Sequence, residues 1–156
     1  MTEKTAKKIG EAYAFAHVLS DTFESNTKVM TELLGDHADS ILEVTRVQKE
    51  ELADIASEND MSEIVLPKAE KTGIKIAKMG EMYVGDDWDD VAEVLEWMSF
   101  FVGGAIVHWQ LITGSAKEMN HDHFGNVAGV GTEYYSSLMN QLREYAVVVG
   151  KARAQA

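Results

Sequence analysis

The chain has no cysteine and only one proline among its 156 residues. Without thiols it can form no disulfide, hold no cysteine-ligated zinc or iron–sulfur cluster, and offer no thiolate nucleophile. Cations are scarce too, 14 Lys and Arg against 26 Asp and Glu, for a formal net charge of −12. Such a surface repels phosphate backbones and anionic lipid, so neither nucleic acid nor a membrane is expected as a partner. It suits solubility, cation accumulation or a basic partner.

Signals of β structure are missing as well. No Asn-Gly or Asp-Gly hairpin occurs, and the β-branched run Val147-Val148-Val149 sits at the end of a helical stripe. The charged N-terminal MTEKTAKKIG is not followed by the uninterrupted apolar stretch of a secretory signal. Residues Trp97 to Ala116 contain no Asp, Glu, Lys or Arg, yet they include Ser99, Gly103, Gly104, His108, Gln110, Thr113, Gly114 and Ser115. A spanning helix needs about 20 predominantly apolar residues. This window reads instead as the most buried helix of a bundle, and the expected location is cytoplasmic.

What the chain does have is helical periodicity. Hydrophobic residues make up 46%, and the length suits one domain with a real core. Apolar residues recur at Ile9, Ala12, Tyr13, Ala16, Leu19, Phe23, Met30, Leu33 and Leu34, one stripe ending at Gly35. Asp36 suits the cap of a second helix that carries Ile41, Val44, Gln48, Leu52 and Ile55 to about Ser57. After Glu58-Asn59-Asp60, a third helix spans about Ser62 to Tyr83, or starts at Leu66 with Pro67 in its first turn. A fourth runs from about Asp87 to Thr113, ending at Gly114. The last runs from near Ala116 towards Val149.

The expected fold is therefore all-α: a single-domain, up-down antiparallel bundle of four long helices, with room for a fifth. Its hairpin turns fall near residues 35–36, 58–62, 84–86 and 114–117. The segments GDHADSILEV (35–44) and GDDWDDVAEV (85–94) match at five of ten positions. Duplicated hairpins and a shared solution to helix capping both produce such a match.

Chemistry has fewer candidates. There is no Gly-x-Ser-x-Gly elbow, and the glycines from Gly125 to Gly131 lack the preceding strand and the Gly-Lys-Ser/Thr of a phosphate loop. Those glycines fit close helix packing or a kink. Trp97, Phe100, Phe101 and Trp109, with the eight methionines, read as core. His17, Asp21 and Glu24 share a flanking stripe suited to an ion pair. His37 belongs to the turn around it.

The exception is Glu118-Met119-Asn120-His121, which has the Glu-x-x-His spacing of di-metal bundles. The last helix's stripe, extended back from Tyr134 through Gly131, Val127 and Phe124, reaches His121, with Glu118 a turn earlier. His108 falls within roughly 45° of the centre of the fourth helix's apolar face. With a turn at 114–117, His108, Glu118 and His121 come to similar depth as a three-ligand cluster suited to iron, zinc or manganese. Asp122 and His123 face water.

The architecture is similar to that of the ferritin-like bundles. Their di-metal sites use Glu-x-x-His on two helices and a glutamate from each of two others. Here only His121 has a glutamate three residues before it, and Glu11 and Glu43 fall off the apolar faces while Glu70 points inward. The leading expectation is a bundle acting through protein–protein or self-association surfaces, as a homo-oligomer or with a protein partner. The alternative is a metal-binding, oxidative bundle with a transition-metal cofactor at His108, Glu118 and His121.

Overall fold

The computed structural model describes residues 1–156 and is all-α. The elements are α1 (Glu3–Ser25), α2 (Thr27–Leu34), a 3-10 turn (Gly35–Ser40), α3 (Ile41–Glu58), α4 (Ser62–Val84), α5 (Val91–Glu118) and α6 (Asp122–Gln155). Five are long helices, and α2 is a short one of 8 residues. The main packing pairs are α1 with α4 and α5 with α6, and α3 and α5 also lie on α1. Contacts 109↔131 and 103↔139 set α5 antiparallel to α6. Contacts 10↔65 and 18↔73 set α1 parallel to α4, as an up-down order requires of those two helices.

The first apolar stripe is two helices rather than one. Asn26 leaves helical geometry at φ −137°, ψ 44°. The cause is local competition for carbonyls. Asn26 Nδ2 donates to Thr22 O at 3.1 Å, and the Thr27 hydroxyl donates to Phe23 O at 3.1 Å. The stripe persists because α2 buries Val29, Met30, Leu33 and Leu34 against α1, α5 and α6.

The repeated segments share the backbone of their leading glycine and then diverge, 35–40 as a 3-10 turn and 85–90 as non-helical turns ending in an extended Asp90. Gly35 has φ 55°, ψ −128° and Gly85 has φ 62°, ψ −122°, a left-handed region that favours glycine. Each glycine's N–H donates to the carbonyl four residues back, Thr31 and Glu81. The next helix begins six residues on in both cases, at Ile41 and Val91. Asp36 is therefore not a helix cap. Asp90 is, its Oδ1 accepting from the Ala92 N–H at 2.9 Å.

Of the two starts read for the third helix the structure has the earlier one, and one further turn moves. Pro67 lies inside α4, which starts at Ser62. Near a helix start it removes a single backbone bond, and the buried side chains of Val65 and Ala69 hold that turn in place. The α5–α6 turn is at 119–121 rather than 114–117, and α5 passes through Gly114. Its stop is Asn120, in the left-handed region at φ 52°, and Asp60 does the same after α3 at φ 56°. At both turns, N–H 61 to O 56 and N–H 121 to O 116 close the six-residue bond of a Schellman motif. Asn and Asp tolerate this conformation, so glycine was not required.

The core is one cluster of 35 buried residues, with Trp109, Tyr135 and Phe124 its largest fully buried side chains. Gly131 allows the α5–α6 contact. A Cβ at that position would fall within the Trp109 ring, against Cε3 and Cζ3. Residues Gly125 and Gly129 face open space instead. Helix α5 contains one apolar window of mean hydropathy 1.3, and 44% of that window is buried inside the bundle.

Candidate functional site

The structure disperses the three residues expected to form a metal centre. Glu118 is exposed at the end of α5, roughly 15 Å along the helix from His108. His121 caps α6, and its Nδ1 accepts from the Phe124 N–H at 3.1 Å. That ring nitrogen is committed to the backbone. His121 Nε2 is 3.9 Å from Glu58 Oε2. No three His, Asp or Glu side chains come together as a metal-ligand group. The expected cluster depended on a turn at 114–117. Moving that turn to Asn120 extends α5 and turns His121 from a stripe residue into a cap.

His123 does not simply face water. Its Nε2 lies 2.8 Å from Glu51 Oε2 and its Nδ1 3.6 Å from Glu58 Oε2, tying α6 to α3. The hydrogen bond that the ring donates to Glu51, reinforced by Glu58, raises the imidazole above its ordinary value near 6.5. A raised folded-state value means this tie stabilises fully below about pH 6.5 and weakens as pH rises through the folded value. Glu51→Gln should therefore lower the His123 titration midpoint, as read by NMR of the imidazole. An unchanged midpoint would mean that Glu51 does not set it.

His17 forms the expected flank pair with Asp21, at 3.1 Å. His37 stays with its turn and fastens it to α6, with Nε2 2.9 Å from Ser137 Oγ. Glu70 is exposed rather than inward, and Glu43 pairs with Arg46 on the surface.

The richest grouping is one the sequence reading passed over. His108 lies at the edge of α5's buried face, where it meets α1. Its Nε2 is 3.2 Å from Glu11 Oε2, its Nδ1 is 2.8 Å from Gly104 O, and its ring centroid is 4.9 Å from that of Phe15. Both ring nitrogens face oxygen atoms. Glu11 was expected off the apolar face, yet its side chain is only 12% exposed. It also takes Lys8 at 2.7 Å and Lys68 at 3.3 Å. Burial alone would raise the Glu11 carboxyl, but Lys8, Lys68 and His108 together hold it below the usual carboxylate value.

Glu11 and His108 form the floor of a groove between α1, α4 and α5, with a volume of about 530 Å³. Phe15, Trp97 and Phe101 supply a buried apolar wall, and Phe100 and Met79 stand at its rim, 65% and 50% exposed. Gly104 keeps the α1–α5 gap narrow, since a Cβ there would lie 3.2 Å from Phe15 Cζ. Along the α4 side run Lys68, Lys71, Thr72 and Lys75. No protein family, no characterised protein and no solved structure matches the chain. The groove must therefore be read from its own chemistry.

The expectation that Phe100 belongs to the core does not hold, and that difference is the groove's clearest feature. Trp97 and Phe101 are buried while Phe100, on the same helix, faces out. Periodicity identifies a helix with a broad apolar face. It does not say how much of that face neighbouring helices cover. The sequence signal available for the site was the Lys68, Lys71, Lys75, Lys78 spacing, which places four cations on one face of α4.

Proposed function

We propose that the protein is a binding module that works through its surfaces, with the groove between α1, α4 and α5 as its ligand site. The observation that carries this reading is the outward-facing Phe100 beside Met79 and the buried aromatic wall. These side chains leave apolar surface in water until something covers it. A groove of about 530 Å³ lies within the range of small-molecule sites, roughly 300–1,000 Å³. The acid and base on its floor are bound to one another and to lysines, which favours holding a ligand over transforming it.

The reading is tested with a neutral environment-sensitive dye such as Nile red. One saturable site per chain is expected. Phe100→Ser, a change at an exposed position that leaves the core intact, should weaken it several-fold. Saturable binding unaffected by Phe100→Ser, or no binding at all, would refute the groove as the working site.

A second observation favours self-association. Beyond Leu142, its last buried residue, α6 continues from Arg143 to Gln155, a length of about 20 Å. Val147 and Val148 stand there, each 57% exposed. We propose that this segment packs against another protein surface, in the simplest case a second copy of the chain. Light scattering across a concentration series should then show dimers or larger assemblies that Val148→Glu disperses, whereas a strict monomer throughout removes the proposal. A cytoplasmic setting fits the strongly charged exterior, with much of α5's apolar window turned into the bundle.

A further inference from the structure

The charge around the groove runs against the charge of the chain. In a protein of net charge −12, four of the 14 cations, Lys68, Lys71, Lys75 and Lys78, lie along one face of α4. Their spacing of three, four and three residues keeps them on that face. Lys68 is held by Glu11. Lys71 and Lys75 line the groove, are exposed, and form no ion pair with any acid of the protein. Placed one turn apart, they repel each other, and nothing in the fold relieves that repulsion.

The floor does not cancel them. Glu11 is its one carboxylate, and Lys8, Lys68 and His108 already surround it. The other flank of α4 has the opposite character. A second groove there is lined by Asp21, Glu70 and Glu81 around Val18, Ile76 and Trp97. Helix α4 therefore separates a cationic aromatic groove from an acidic one. An apolar wall under two unanswered ammonium groups is complementary to a molecule that joins an apolar body to an anionic head.

Resting on the reading of the groove as a ligand site, we propose that its ligand is a free single-chain anionic amphiphile of the fatty-acid type. The chain lies against Phe15, Trp97, Phe100 and Phe101, and the carboxylate sits at Lys71 and Lys75. A surface of net charge −12 repels anions in general, so selective capture of one reports the local arrangement rather than the whole protein.

The test uses the full chain and three probes of equal length at concentrations where each is monomeric: dodecanoate, dodecanol and dodecyltrimethylammonium. Calorimetry should show dodecanoate binding about tenfold or more tighter than dodecanol, with the cation weakest. Lys71→Gln combined with Lys75→Gln should remove that advantage and leave dodecanol binding unchanged. Lys28→Gln, in α2 and outside the groove lining, should change nothing. Equal affinity for dodecanoate and dodecanol would overturn the anionic ligand while leaving the groove's apolar role standing. Failure of all three probes would overturn both. Binding to anionic phospholipid vesicles without binding to free dodecanoate would overturn the free ligand in favour of a membrane headgroup.

Discussion

Trp109→Ala should lower stability by about 3–5 kcal/mol, the range for emptying a large aromatic site in a packed core. Trp109 is fully buried, lies against Gly131, and has its ring centroid 6.0 Å from that of Tyr135. Its indole N–H makes no hydrogen bond, so alanine forfeits packing alone and orphans no polar partner. For a chain of this length the loss corresponds to a fall in melting temperature of roughly 6–20 °C. Calorimetry or thermal circular dichroism measures it. A fall of only a degree or two would show that the α5–α6 seam does not depend on this ring.

Gly131→Ala should destabilise by about 2–3 kcal/mol, although alanine is the better helix former by about 1 kcal/mol. The added methyl would overlap the Trp109 ring, and α5 and α6 would have to separate to admit it. Gly129→Ala is the control. It lies in the same helix with open space at its Cβ, so it should gain several tenths of a kcal/mol from propensity. The effect at Gly131 should also shrink in a Trp109→Ala background, because the cavity accepts the methyl. Equal responses at positions 129 and 131 would mean that the glycine does not set the helix spacing.

The helices themselves were legible because periodicity is local. The stripes of α3, α5 and α6 can be read from spacing alone, and so can the polar break after Glu58. The breaks that were missed lack the usual markers. Asn26 ends α1 through side-chain bonds to Thr22 and from Thr27 to Phe23, with no glycine or proline. Asn120 ends α5 in a left-handed conformation more often given to glycine, so Gly114 read as the stop. That error of a single turn carried His108, Glu118 and His121 into one imagined cluster.

The partnership of Glu11 with His108 shows the same limit. The two are 97 positions apart, and no repeat or motif connects them. What joins them is the packing of α1 on α5 around Phe15 and Gly104, which also draws in Lys68 from α4. A buried carboxylate needs cations, and only the assembled helices decide which ones are near.

By itself the sequence determined the all-α class, the up-down order of its long helices, the acidic surface and the absence of thiol chemistry. Each of these follows from composition or from neighbours within a few turns of one helix. The tertiary structure alone decided which side of each helix was left uncovered. It turned Phe100 outward, closed Glu11 in among two lysines and an imidazole, and left Lys71 and Lys75 without partners. Helical phase states where a side chain points, and only the neighbouring helices decide what it meets.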